Sequence, residues 1–205
     1  MNVHSKTLVS VLETIMQEKT LDKRAAALLA TLELISEQGF HGTPMSQIAK
    51  KANVGVGTIY RYFPSKEDLI NTLYIDVKTR LSQYVLRNYS EGMPIRESFL
   101  LLLHNTFDYF IERPMEFLFI EQYSNSPLIT ADTRHEGIGI FGQVRNLYKQ
   151  AREEKLIKEL PEEMLIALAN GATLSLVKLC LFANVKVDEP TLNLGLDAIW
   201  DAIKR

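Results

Sequence analysis

Apolar residues recur at helical spacing along nearly the whole chain, and each such stretch closes on Pro, Gly or Asn instead of passing into strand-like alternation. Residues 5–19 carry Leu8, Val11, Leu12, Ile15 and Met16 at i, i+3, i+4, i+7 and i+8, which predicts a first amphipathic helix. A second helix starts near Asp22, carries Ala26, Leu29, Ala30, Leu32, Leu34 and Ile35, and stops at Gln38-Gly39. A short third helix bears Ile48, Ala49 and Ala52, with Thr43 as its expected N-cap and Pro44 at its first position. It should end near Asn53, where Gly55 allows a tight reversal into another short helix from Val56 to Phe63. Pro64 ends that helix, and Ser65 with Glu67 and Asp68 starts a long one reaching about Tyr89. Beyond Pro94 the pattern predicts a helix apolar on nearly every face, a short aromatic helix over 115–123 and an irregular link over 124–137. Three further helices follow, over 138–155, about 162–184 and about 190–204. The fold class is therefore all-α, in three parts: an N-terminal helical extension (1–20), a three-helix domain (21–66) and a larger helical domain (67–205).

The two short helices around Gly55 decide the function. The helix from Val56 has only Ile59 and Phe63 as apolar anchors, while Thr58, Tyr60, Arg61 and Tyr62 point elsewhere. Arginine suits guanine edges in a major groove, and hydroxyls and lysine suit phosphate oxygens. A helix-turn-helix places its second helix in the groove and its first across the backbone. The alternative is a plain helical hairpin with Tyr60 and Tyr62 half-buried.

Ile48-Ala49, Val54, Gly57-Thr58-Ile59-Tyr60, Tyr62-Phe63 and Ser65-Lys66-Glu67-Asp68-Leu69 stand where the DNA-binding domain of the TetR family has its usual pattern. The chain resembles that family over Leu21 to Ile75, about a quarter of its length. The resemblance implies that Thr43, Ser46, Thr58, Tyr60, Tyr62 and Lys66 touch the phosphate backbone of double-stranded DNA and that Arg61 reaches a base. Asn53 departs from the pattern where Gly is common, which a left-handed turn residue tolerates. Gly55 and Val56 stand where Ser and Lys are usual, which removes one or two phosphate contacts.

Composition refines this picture. The chain has 205 residues, 46% of them hydrophobic, enough for one globular chain or two closely packed small domains. The net charge of −2 is unevenly placed. Residues 21–66 hold six basic side chains (Lys23, Arg24, Lys50, Lys51, Arg61, Lys66) against three acidic ones (Asp22, Glu33, Glu37), a local +3. Residues 67–205 hold 15 basic and 20 acidic side chains, a local −5, so the basic charge lies with the motif. A patch this modest binds better in two copies than in one. Lys23 and Arg24 are placed either to touch phosphate or as solvated surface charge. No unbroken run reaches the length of a membrane span, and the first residues lack a secretory h-region, so a cytoplasmic protein is expected, with no membrane partner. The lone Cys180 excludes an internal disulfide and a cysteine-based metal site, and it reads as an inert core thiol. The 1–20 extension reads as a packing element, or else as a frayed tail.

His104 and Asp108 lie one turn apart on the apolar helix after Pro94, beside Asn105 and Thr106. Buried polar groups there must be paired or must line a cavity. His104, Phe107, Asp108, Phe117 and Tyr148 are the candidate ligand contacts, with Asn105, Tyr109 and Phe119 alongside; each is otherwise plain core. Ala167, Gly171 and Ser175 form a stripe of small residues that lets another helix approach closely. The resemblance implies that the last two helices form a homodimer across a two-fold axis; the alternative is that they only close the monomer's own core. Two reading heads about 34 Å apart suit an inverted-repeat operator. The expected function is a ligand-responsive transcriptional regulator, a repressor released by a small, mostly apolar effector. The competing class is an architectural or partner-recruiting DNA-binding protein without an effector. No enzyme is expected: the histidines form no zinc spacing, and no phosphate loop or nucleophile motif occurs. No metal or cofactor is expected.

Overall fold

The structure is a computed structural model that describes residues 22–183 and 185–205. The 1–20 extension lies outside the described residues. Among those described, the protein is all-α, with ten helices and one isolated β-bridge between Ile157 and Lys204. In chain order these are α1 (residues 22–38), α2 (Met45–Lys51), α3 (Val56–Tyr62), α4 (Lys66–Val85) and α5 (Ile95–Glu112). Then come α6 (Pro114–Tyr123), α7 (Ala131–Gly139), α8 (Gly142–Glu153), α9 (Glu162–Phe182) and α10 (Glu189–Ile203).

The chain forms two compact units that are not consecutive in sequence. The N-terminal unit runs to Tyr74 and also takes Leu118–Thr130; the C-terminal unit comprises Ile75–Phe117 and Ala131–Arg205. The boundary expected at 66/67 thus differs from this division: the first turns of α4 and the end of α6 group with the N-terminal unit.

The N-terminal unit buries Leu28, Leu32, Ile35, Ile48, Ile59, Phe63 and Leu69. Leu29, expected in the α1 core stripe, is 55% exposed. The buried row is Leu28, Thr31, Leu32 and Ile35, because a helix rich in apolar residues on all sides offers several stripes and packing selects one. The segment from α6 is fixed within this unit by side chains as well as by packing. Asn71 donates to the Leu128 carbonyl at 2.9 Å and accepts from the Thr130 N–H at 3.0 Å, and Ile129 between them is fully buried.

In the C-terminal unit α5, α9 and α10 pack against one another, with α8 also against α5. Their shared core includes Phe99, Phe110, Leu165, Val177, Leu196 and Trp200. The link expected over 124–137 is corrected here: residues 131–139 are helical as α7, then the chain breaks at Ile140-Phe141 before α8. The sequence ADTRHEGIG has no apolar stripe to announce a helix. The Ser82 hydroxyl donates to the Ile140 carbonyl at 3.2 Å and ties the break to α4. That long helix also ends at Val85, earlier than the expected Tyr89, in a turn where Asn88 takes φ 65°.

Candidate nucleic-acid interface

Between α2 and α3 the chain reverses at Asn53, with φ 53°, while Gly55 keeps an ordinary φ of −68° as the N-cap of α3. The left-handed residue is thus Asn53, the non-glycine type best suited to it, and the tight reversal expected of Gly55 is made without a positive φ there. The start of α2 also differs from expectation. Pro44 is its N-cap, without a side-chain cap bond, and the helix begins at Met45. Thr43, expected as that cap, instead donates its hydroxyl back to the Gly39 carbonyl at 2.8 Å. At the head of α4 the expected cap is present: the Ser65 hydroxyl accepts from the Asp68 N–H at 3.0 Å.

Lys51 ties α2 to α1 through Glu33 at 3.0 Å and Glu37 at 3.5 Å. The hydrogen bond that the Lys51 ammonium donates to Glu33 leads the causes that raise it above its ordinary range. Gln38 and Gln47 add a 2.8 Å bond between the same helices. α3 is held by the fully buried Ile59 and by Phe63 just beyond its end, over whose ring the Arg24 guanidinium lies at 5.7 Å.

The rest of α3 faces outward. Tyr60 is 49% exposed, Arg61 is exposed, and Thr58 and Tyr62 are half-buried. Ser46 is exposed on the first turn of α2. Five of the seven expected DNA contacts therefore present surface from the two short helices. The remaining two are engaged inside the unit. Thr43 is fully buried, and Lys66 is half-buried with its ammonium donating to the Phe40 carbonyl. The sequence gives no sign of the partner that faces Phe40 from the other side, the hydroxyl of Tyr123, because no spacing rule links residues 83 positions apart.

Of the C-terminal candidates, His104 lines a groove, whereas Phe107, Phe117 and Tyr148 lie in the core. His104 sits between two carboxylates, Nδ1 3.1 Å from Asp108 and Nε2 2.8 Å from Glu189. It lines an open groove of about 490 Å³ between α5 and α10, with Leu100, Leu101, Leu196 and the ion pair of Arg96 and Asp197. Phe107, Phe117 and Tyr148 are core: Tyr148 packs edge-on to Phe99 at 4.7 Å, and Phe117 to Phe110 at 5.3 Å. Phe119 is buried in the other unit. Asn105 donates to the Val85 and Arg87 carbonyls, both at 2.9 Å, and so closes the end of α4. Another buried polar set escaped the sequence reading. Glu116 on α6 accepts from the Tyr109 hydroxyl and from Arg80 at 3.1 Å, and Arg80 also pairs with Asp76. Burial, then the bond to Glu116, keeps the Tyr109 phenol protonated far above its ordinary range.

The outward face of α9 is apolar. Met164, Leu168, Leu179 and Phe182 are exposed in register with the small residues Gly171 and Ser175, and Leu194 on α10 is 71% exposed. By length and composition α9 is apolar enough to cross a membrane, with mean hydropathy 1.8 and 22% of that window buried. This differs from the expectation that no segment qualifies, since Asn170, Gly171 and Lys178 interrupt the run without lowering its average enough. Its inner face, with Leu165, Ala169, Thr173 and Val177, is buried. Cys180 is partly exposed beside it, and burial pushes its thiol pKa up, toward the unreactive form. Among the described residues no group of three His, Cys, Asp or Glu side chains could hold a metal ion.

Comparison with known proteins joins both halves. Residues 27–73 match the bacterial regulatory proteins of the tetR family, and residues 94–204 match a tetracyclin repressor-like C-terminal domain. An HTH-type transcriptional regulator of Haemophilus influenzae is 24% identical over 195 residues, covering 93% of this chain and all of the relative. The crystal structure of a TetR-family regulator from Marinobacter aquaeolei superposes with TM-score 0.86 at 26% identity, covering 92% of this chain and 98% of its own. A TetR-family protein from Vibrio parahaemolyticus gives TM-score 0.78 at 30% identity, covering 89% of this chain and 99% of its own. The match to the tetR family over residues 27–73, together with the match to its repressor-like C-terminal domain over residues 94–204, places this chain in the TetR family of transcriptional regulators.

Proposed function

We propose that the protein is a repressor that binds an inverted-repeat operator as a homodimer in the cytoplasm and is released by a small, mostly apolar effector. The observation that carries this reading is the outward face of α3, where Thr58, Tyr60, Arg61 and Tyr62 are held up by the buried Ile59. Arg61 reads a base edge, and Ser46, Thr58, Tyr60 and Tyr62 take phosphate oxygens. Thr43 and Lys66 support the unit from within. The second copy covers the apolar row on α9 together with Leu194 of α10, since the small residues at 171 and 175 let another helix approach closely there.

The effector half of the proposal draws on the C-terminal family match. A FadR transcriptional regulator of Bacillus subtilis, solved with stearoyl-CoA, shares the fold at 20% identity and TM-score 0.66, and long-chain acyl-CoA is therefore a sensible first probe. One observation favours the alternative of a partner-recruiting DNA-binding protein: Phe107, Phe117 and Tyr148 are buried in the shared core of the C-terminal unit, with Tyr148 packed on Phe99 and Phe117 on Phe110.

Selection of bound duplexes from a random DNA library at near-physiological salt tests the reading. An enriched inverted repeat supports the dimeric regulator, and acyl-CoAs and other apolar compounds are then screened for release of that duplex. Enrichment of no sequence overturns sequence-selective regulation. Enrichment without release by any apolar compound leaves the partner-recruiting alternative in front.

A further inference from the structure

Phe40, in the turn between α1 and α2, is held from two sides. Its backbone N–H donates to the hydroxyl of Tyr123 at 3.1 Å. Its carbonyl accepts from two donors, the Lys66 ammonium and the Thr43 N–H, the latter at 3.2 Å. The same ammonium lies 4.1 Å from the centroid of the Phe40 ring. Phe40 and Tyr123 are buried, and all three elements involved belong to the N-terminal unit. Desolvation draws the Lys66 ammonium below its ordinary range, with Glu67 acting against it. A lysine that binds phosphate must extend into solvent, where the oxygens arrive. This one is turned inward, and reaching a phosphate would break its bond to the Phe40 carbonyl.

We propose that Lys66 and Tyr123 are positioning residues for DNA contact, clamping the Phe40 backbone so that the α1–α2 turn presents α2 and α3, and that Lys66 itself takes no phosphate. The clamp reaches α2 directly, because Thr43, bonded to the same carbonyl, immediately precedes the N-cap Pro44. This inference rests on the reading of α3 as the DNA-contacting helix.

The test uses three variants of the full chain, Lys66→Met, Lys66→Gln and Tyr123→Phe, each checked for native circular dichroism. Affinity for the duplex enriched by the wild type is measured across a salt series, and hydrogen exchange of the Phe40 amide is followed without DNA. The clamp predicts that Lys66→Met weakens binding about 3- to 10-fold, the usual effect of losing one hydrogen bond, with the salt slope unchanged. Lys66→Gln, which can still donate to the carbonyl, stays within about two-fold of wild type. Tyr123→Phe speeds Phe40 exchange and weakens binding as Lys66→Met does. A salt slope reduced by about 0.9 in both Lys66 variants overturns the proposal, since Lys66 would then neutralise a phosphate. Unchanged Phe40 exchange in Tyr123→Phe overturns it as well. If the wild type enriches no duplex, the positioning role falls with the DNA reading, while Phe40 exchange still decides whether the clamp exists.

Discussion

Arg61 and Tyr62 are neighbours in sequence and partners in space: the guanidinium Nη2 donates to the Tyr62 hydroxyl at 3.2 Å, and its carbon lies 5.2 Å from the ring centroid. A flexible cation on an exposed two-turn helix is thereby kept against an aromatic face. This lowers the entropy lost when Arg61 engages a partner.

If Arg61 reads a base, Arg61→Ala should cost about 1–3 kcal/mol at the selected operator and relax preference at one position of each half-site. The check is affinity across a set of single-base operator variants. A loss equal on all of them would make Arg61 a phosphate contact instead.

Glu116 joins α4, α5 and α6 of the C-terminal unit through Arg80 and Tyr109. Glu116→Ala leaves a buried phenol and a half-buried guanidinium without their shared acceptor, and should destabilise by about 2–4 kcal/mol in urea unfolding. Glu116→Gln keeps an acceptor for Tyr109 and should cost less.

The row of Met164, Leu168, Leu179 and Phe182 predicts that Phe182→Glu yields monomers in light scattering where the wild type is a dimer. Ile138→Glu, at an equally exposed apolar position on α7, should leave the dimer intact. A wild-type protein that runs as a monomer would remove the interface altogether.

Asp188 caps α10 by accepting from the Thr191 N–H at 3.0 Å, and hydrogen bonding from the Thr191 side chain, then from that N–H, holds its carboxyl below the ordinary carboxylate range. A lowered folded-state pKa means that the cap stabilises fully above the ordinary aspartate range and fades as pH falls through the lowered value. Exchange of the Thr191 amide should therefore rise in acid. Asp188→Asn, which still accepts, should lose that dependence.

In the α1–α2 turn a side chain on Gly42 would place its Cβ 2.5 Å from the Gln38 carbonyl oxygen, a backbone atom that cannot step aside. Gly42→Ala should cost about 1–3 kcal/mol in thermal unfolding.

The DNA-binding half was legible in the sequence wherever its signals are local. Ser65 with Asp68, the left-handed Asn53 and the anchors Ile59 and Phe63 each act within a few residues, so spacing alone reveals them. The bonds of Thr43 to the Gly39 carbonyl and of Lys66 to the Phe40 carbonyl were not legible, because the same side chains suit a backbone carbonyl, a cap or a phosphate equally well. α7 escaped because it is polar on most faces, and Leu29 because an apolar-rich helix does not declare which stripe is buried. The aromatic residues of the C-terminal unit were recognisable as apolar, yet whether aromatics line a space or fill it is decided by tertiary packing, which spacing does not encode.

The N-terminal unit closes over Leu118–Thr130, a piece of chain that emerges more than forty residues after the rest of it. Its modularity is therefore only apparent. A reading head cut at Tyr74 and grafted onto a different sensor would leave behind Tyr123, Ile129 and the carbonyl that Asn71 holds. Swapping specificities between relatives calls for an exchange at two seams, with residues 118–130 travelling together with the head they complete.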